Sequence, residues 1–132
     1  MTRSVLVERP AEGLRTLARE LETACGYLGR EPLEPEHVAA ARAIAEATEA
    51  ELRASLAELA QVSPGADAAD SRGFRALIVT LLRAQAELAS PRPTAADAAR
   101  AGGFVESVAS LLDWAATNLE IKCLPETREP LV

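Results

Sequence analysis

Residues 35–62 read PEHVAAARAIAEATEAELRASLAELAQV. Val38, Ala45, Leu52 and Leu59 recur every seven residues, and Ala41, Thr48, Ser55 and Val62 form a companion seam. An apolar repeat of this period, held for almost four cycles, marks a long helix packed along one side. The companion seam is small, which lets a neighbouring helix approach closely. Pro35 suits the first helical position, where its missing N–H costs nothing. Glu34 and Glu36 place negative charge at the positive end of the helix.

The eight prolines fall outside this stretch or at its edge, at Pro10, Pro32/Pro35, Pro64, Pro91/Pro93 and Pro125/Pro130. Proline breaks helix interiors, so these clusters divide the chain into four helical segments. The first, 11–29, carries Leu14, Leu17, Leu21, Ala24 and Leu28 at helical spacing and ends at Gly26 and Gly29. The second is 35–62. The third, 71–89, carries Phe74, Leu77, Leu81, Ala84 and Leu88; Ile78, Val79 and Leu82 widen that stripe until the helix is apolar nearly all round. Such a helix is expected to be buried on all sides or to face a partner. The fourth, 95–122, follows a Thr94-x-x-Asp97 capping box and carries Val108, Leu111, Leu112, Ala115 and Leu119. Gly102-Gly103 marks a kink or a close helix contact. Lys122 complements the C-terminal dipole, and Pro125 stops the helix.

Short connections make sequential helices antiparallel neighbours. The predicted fold is therefore all-α, an antiparallel up-down-up-down four-helix bundle. One domain spans 1–132, with short extensions at 1–9 and 123–132. A weak match at an offset of 30 aligns Gly73-Phe74 with Gly103-Phe104 and Leu81-Leu82 with Leu111-Leu112. It reads as convergence on a common helical pattern, with pseudo-symmetric packing of two hairpins as the sharper alternative.

Composition agrees with helix. Hydrophobic residues make up 48% of the chain, but aromatics only 3%, and Ala and Leu dominate. The net charge is −6, with 14 basic residues among 20 acidic ones and no basic run. Nucleic-acid binding is thereby disfavoured, since phosphate neutralisation supplies most of that affinity. No stretch approaches the roughly 18 apolar residues of a membrane span. The N-terminal apolar run Val5-Leu6-Val7 is too short for a signal peptide. A cytoplasmic location is expected, and the Ala-rich, Arg-over-Lys composition suggests a bacterial source.

The chemical inventory is sparse. Cys25 and Cys123 are expected at opposite ends of the bundle, too far apart for a disulfide, and so as thiols. His37 is the only histidine. Glu34-x-x-His37 resembles half of a ferritin-like di-iron motif, but Pro35 interrupts it and no second histidine exists. The Arg30-x6-His37 spacing resembles that of HEPN ribonucleases, yet two prolines intervene, so the pair shares no helical face. His37 also lacks the flanking Lys and Gly of a histidine phosphotransfer domain. The bundle resembles all-α nucleotide pyrophosphatases in architecture only, because it lacks their second Glu-x-x-Asp motif. Glu46, Glu49, Glu51 and Glu58 read as a solvated face, with Arg42–Glu46 and Glu49–Arg53 pairs at i,i+4. Glu106, Asp113 and Glu120 read likewise. No phosphate loop, no Ser/His/Asp set and no base-stacking platform is present.

The expected function is therefore a non-enzymatic interaction or accessory protein, acting as a homodimer or as a subunit of a larger bacterial assembly. No cofactor and no metal is expected. The candidate partner-binding residues are Phe74, Ile78, Val79, Leu82, Phe104 and Trp114, although Trp114 by its spacing from Leu111 is expected at the core edge. Two alternatives stand. One is a nucleoprotein subunit resembling the small helical subunits of CRISPR effectors, with Arg72, Arg75, Arg83, Arg92 and Arg100 as its basic patch. The other is a bundle that binds a small molecule along Ala41, Thr48 and Ser55.

Overall fold

The computed structural model describes residues 10–62 and 68–122. These form four helices: α1 (Pro10–Leu28), α2 (Pro35–Val62), α3 (Ala68–Glu87) and α4 (Ala95–Lys122). The boundaries of α2 and α4 coincide with those read from sequence. Helix α3 begins three residues earlier, because Ala68-Ala69-Asp70 winds into its first turn instead of extending the loop. The apolar pieces at Val5–Val7 and Leu131-Val132, and Cys123, lie outside the described residues.

Each helix packs on its two neighbours in a closed ring: α1 on α2, α2 on α3, α3 on α4, and α4 back on α1. Arg15, early in α1, donates to the Thr117 hydroxyl late in α4 (3.1 Å), whereas Cys25, late in α1, reaches the carbonyl of Gly102 early in α4 (3.6 Å). These two contacts run α1 and α4 antiparallel. Gln85 late in α3 donates to Glu49 of α2 (2.9 Å), and the α3–α4 connection lies beside the first turns of α2.

One core runs through all four helices. Leu21, Leu52, Leu81 and Leu112 are completely or almost completely buried, one from each helix. Alanine fills much of the remainder, at Ala24, Ala45, Ala84, Ala101 and Ala116. Thr48 and Ser55 are buried too, and each returns its hydroxyl to a carbonyl one turn earlier, Ile44 and Glu51, at 2.9 Å. A buried hydroxyl satisfied by its own helix carries little penalty. The Ala41–Thr48–Ser55 seam is thus part of the packed interior, and does not line the surface groove described below.

The two halves follow one plan. Helices α2 and α4 start and stop 60 residues apart. At the same offset, Gly13-Leu14-Arg15-x-Leu17 matches Gly73-Phe74-Arg75-x-Leu77, and Leu21, Ala24, Leu28, Ala41 and Leu52 match Leu81, Ala84, Leu88, Ala101 and Leu112. The pattern of buried and exposed positions repeats nearly residue for residue. The internal relationship is between hairpins, at an offset of 60. The 30-residue match only compares α3 with its own partner α4.

Candidate functional site

The two inter-hairpin contacts are not alike. The α1–α4 contact is the most extensive in the bundle. It is built on small residues: a Cβ placed on Gly102 would lie 4.0 Å from that of Leu28. Sixty residues earlier, on α2, Arg42 occupies the position of Gly102 and Glu49 that of Ala109; sixty residues later, on α3, Gln85 occupies that of Cys25. Long polar side chains hold α2 and α3 further apart. Glu49 accepts from both Gln85 and Arg53, and these two hydrogen bonds hold its carboxyl below the usual range.

A groove of about 670 Å³ opens where α2 meets the α3–α4 connection. Leu33, Val38 and Leu88 form its apolar wall, and Arg42 and Arg92 its basic one. The Nε of Arg42 is buried without a hydrogen bond; its ion partner Glu46 lies 3.7 Å away. Across the α1–α2 connection, His37 stacks on Tyr27 with ring centroids 5.8 Å apart, and the Arg30 guanidinium lies 5.8 Å from the Tyr27 centroid. His37 Nδ1 has no hydrogen-bond partner. Among the described residues, no three acidic, Cys or His side chains converge as metal ligands, and no helix is long and apolar enough to cross a membrane.

Cys25 is a half-buried free thiol. Burial raises its pKa, with the charges of Glu106 and Glu22 adding to the rise. A thiol kept protonated is a poor nucleophile. Cys25 is therefore expected to react only slowly at neutral pH.

Among the described residues, the large exposed apolar side chains are one-sided. Val79 (47% exposed) and Leu82 (39%) stand on α3, and Leu111 (52%) and Trp114 (65%) on α4. This corrects two expectations. Helix α3 is not buried all round, since its core face is used up by Ile78, Leu81 and Ala84. Trp114 is not a core-edge residue. It stands two residues past buried Leu112, roughly 200° further around the helix, and so points outward. Of the other candidates, Ile78 is turned into the core, and Phe74 and Phe104 are half-buried against it.

The hairpin comparison shows what these residues are not for. Their counterparts on the first hairpin are Arg19, Glu22, Glu51 and Ala54. The same fold positions are thus met by charged or small residues on one side, so packing does not require large apolar ones on the other. Around Val79 and Leu82, the outer face of α3 also holds Arg72, Arg75 and Arg83, none of them ion-paired among the described residues. No acidic residue occurs between Arg72 and Gln85. Arg100, by contrast, is tied to Glu87 (3.0 Å) and Asp97 (2.5 Å).

Comparison with protein-family models, with curated proteins and with solved structures returns no significant match.

Proposed function

We propose that this chain is a non-enzymatic docking protein, working as a homodimer or as a subunit of a larger assembly. Its binding surface is the outer face of α3 and α4. One observation carries the reading: Val79, Leu82, Leu111 and Trp114 are exposed where the first hairpin has Arg19, Glu22, Glu51 and Ala54. Exposed large apolar residues gathered on one side mark interaction surfaces, and tryptophan is enriched among residues that dominate binding energy. The free Cys25 thiol and the Ala-rich, Arg-over-Lys composition support the cytoplasm of a bacterium as the setting. The test is a pull-down from the native host with wild-type protein and with the Val79→Arg/Trp114→Arg variant. A partner retained by the first and lost by the second is the expected result. The same captured proteins with both would sink the reading.

The three unpaired arginines of α3 favour one other function, a subunit that touches RNA in a nucleoprotein complex. The first hairpin speaks against it, with ten acidic and five basic residues over 10–62. RNA binding that weakens steeply with salt and disappears when Arg72, Arg75 and Arg83 become Gln would favour it.

A further inference from the structure

We infer that a second copy of this chain covers the α3–α4 face, in a two-fold dimer whose axis runs parallel to the helices. This rests on that face being the docking surface, and adds what docks there.

The argument starts from the levels of the residues along the two helices. The Arg100–Glu87 ion pair fixes a common level on α4 and α3. At 1.5 Å per residue, Val79 and Ser107 lie roughly 12 and 11 Å from it, Ala76 and Leu111 both about 17 Å, and Gly73 and Trp114 both about 21 Å. Each level holds one large residue on one helix and one small residue on the other. Gly73 and Gly103 are bare, with nothing within 4 Å of where a Cβ would sit. The large residues therefore lie on one diagonal of the face and the small ones on the opposite diagonal.

A two-fold axis along the helices sets α3 against α4 of the other copy without changing levels. Val79 then meets Ser107, Leu111 meets Ala76, and Trp114 lands over Gly73. Each of these three knobs finds a gap, and an isologous interface repeats each fit twice.

The face also carries charge: Arg72 and Arg75 flank Gly73 on α3. Trp114 settles beside Arg72 and Arg75, within reach of a cation–π contact. Two helix widths by about 25 Å of length bury on the order of 500 Å² per copy, about 1,000 Å² in all, the lower limit for a specific dimer. The dimer is accordingly concentration-dependent.

Sedimentation equilibrium over a wide concentration range is the test, with circular dichroism to verify folding of each variant. Wild type is expected to move from the 13.9 kDa chain mass toward twice that value. Trp114→Arg should weaken dimerisation on the order of tenfold or more. Gly73→Trp should weaken it comparably, because it fills the gap that Trp114 of the other copy enters. A wild-type monomer at millimolar concentration overturns the inference but not the docking reading, which then rests on the host pull-down. A dimer indifferent to Trp114→Arg overturns both. A dimer that needs Trp114 but tolerates Gly73→Trp overturns the two-fold arrangement alone. A wild-type protein that stays monomeric and shifts RNA in low salt replaces the second copy with a nucleic acid.

Discussion

The Cβ of Leu28 lies 4.0 Å from the point a Cβ on Gly102 would occupy, while the position equivalent to Gly102 on α2 is Arg42. One hairpin interface is drawn together and the other is propped open by that exchange. A 4.0 Å approach is ordinary van der Waals contact, so Gly102→Ala is expected to fit and to gain up to about 1 kcal/mol from helix propensity. Gly102→Arg should instead destabilise the protein by about 1–3 kcal/mol, as an overpacked interface does. Chemical denaturation of the two variants beside wild type separates these outcomes.

Core and docking face should respond oppositely to truncation. Leu81→Ala and Leu112→Ala each remove a buried side chain and are expected to cost about 2–5 kcal/mol. Trp114→Ala, at low protein concentration, should change stability by no more than about 0.5 kcal/mol despite the larger deletion. A loss of several kcal/mol in Trp114→Ala would show that the ring packs within the monomer.

The start of α4 is fixed by a reciprocal cap. The Thr94 N–H donates to Asp97 Oδ2 (2.9 Å), and the Asp97 N–H donates to Thr94 Oγ1 (3.1 Å). Thr94→Ala should cost about 1 kcal/mol. The hydrogen bonds from Thr94 hold the Asp97 carboxyl below the usual aspartate range. A depressed pKa stabilises the fold above the unfolded value, near 3.9, and that stabilisation is lost as pH falls through the folded value. Carboxyl chemical shifts followed from pH 7 to 2 should show Asp97 titrating below the unfolded range in wild type and returning toward it in Thr94→Ala.

Cys25 gives a test at the other end of the pH scale. In a Cys123→Ser background, the folded protein should react with iodoacetamide more slowly at pH 8 than the same chain in denaturant. Burial disfavours the thiolate, and Glu106 and Glu22 add to that. A thiol with a raised pKa contributes stability that is complete below the unfolded value, near 8.5, and is lost as pH rises through the folded one. Equal rates in the two states would show an unshifted thiol.

The fold was legible where backbone chemistry speaks. Pro35 and the Thr94–Asp97 box set the starts of α2 and α4, and both boundaries stand. The inside and outside of α4 were not legible. Its core face is Ala98, Ala101, Val105, Val108, Ala109, Leu112 and Ala116, while Leu111 and Trp114 face water. In a helix so rich in alanine, side-chain size no longer marks the inward side, and spacing from the largest apolar residue misleads. The 60-residue duplication was hidden for the same reason. Its identities are mostly Ala and Leu at core positions, which any pair of helices in such a chain shares. The proposed docking face becomes visible only when the hairpins are laid over one another and the four mismatched surface positions stand out.

The duplication also sets valence. A molecule with two equivalent hairpins would carry the adhesive face on both sides, and each copy could then bridge two others in an endless row. Arg19, Glu22, Glu51 and Ala54 leave one side blank. If the second copy docks as inferred, exchanging them for Val, Leu, Leu and Trp is expected to turn a pair into a chain that polymerises.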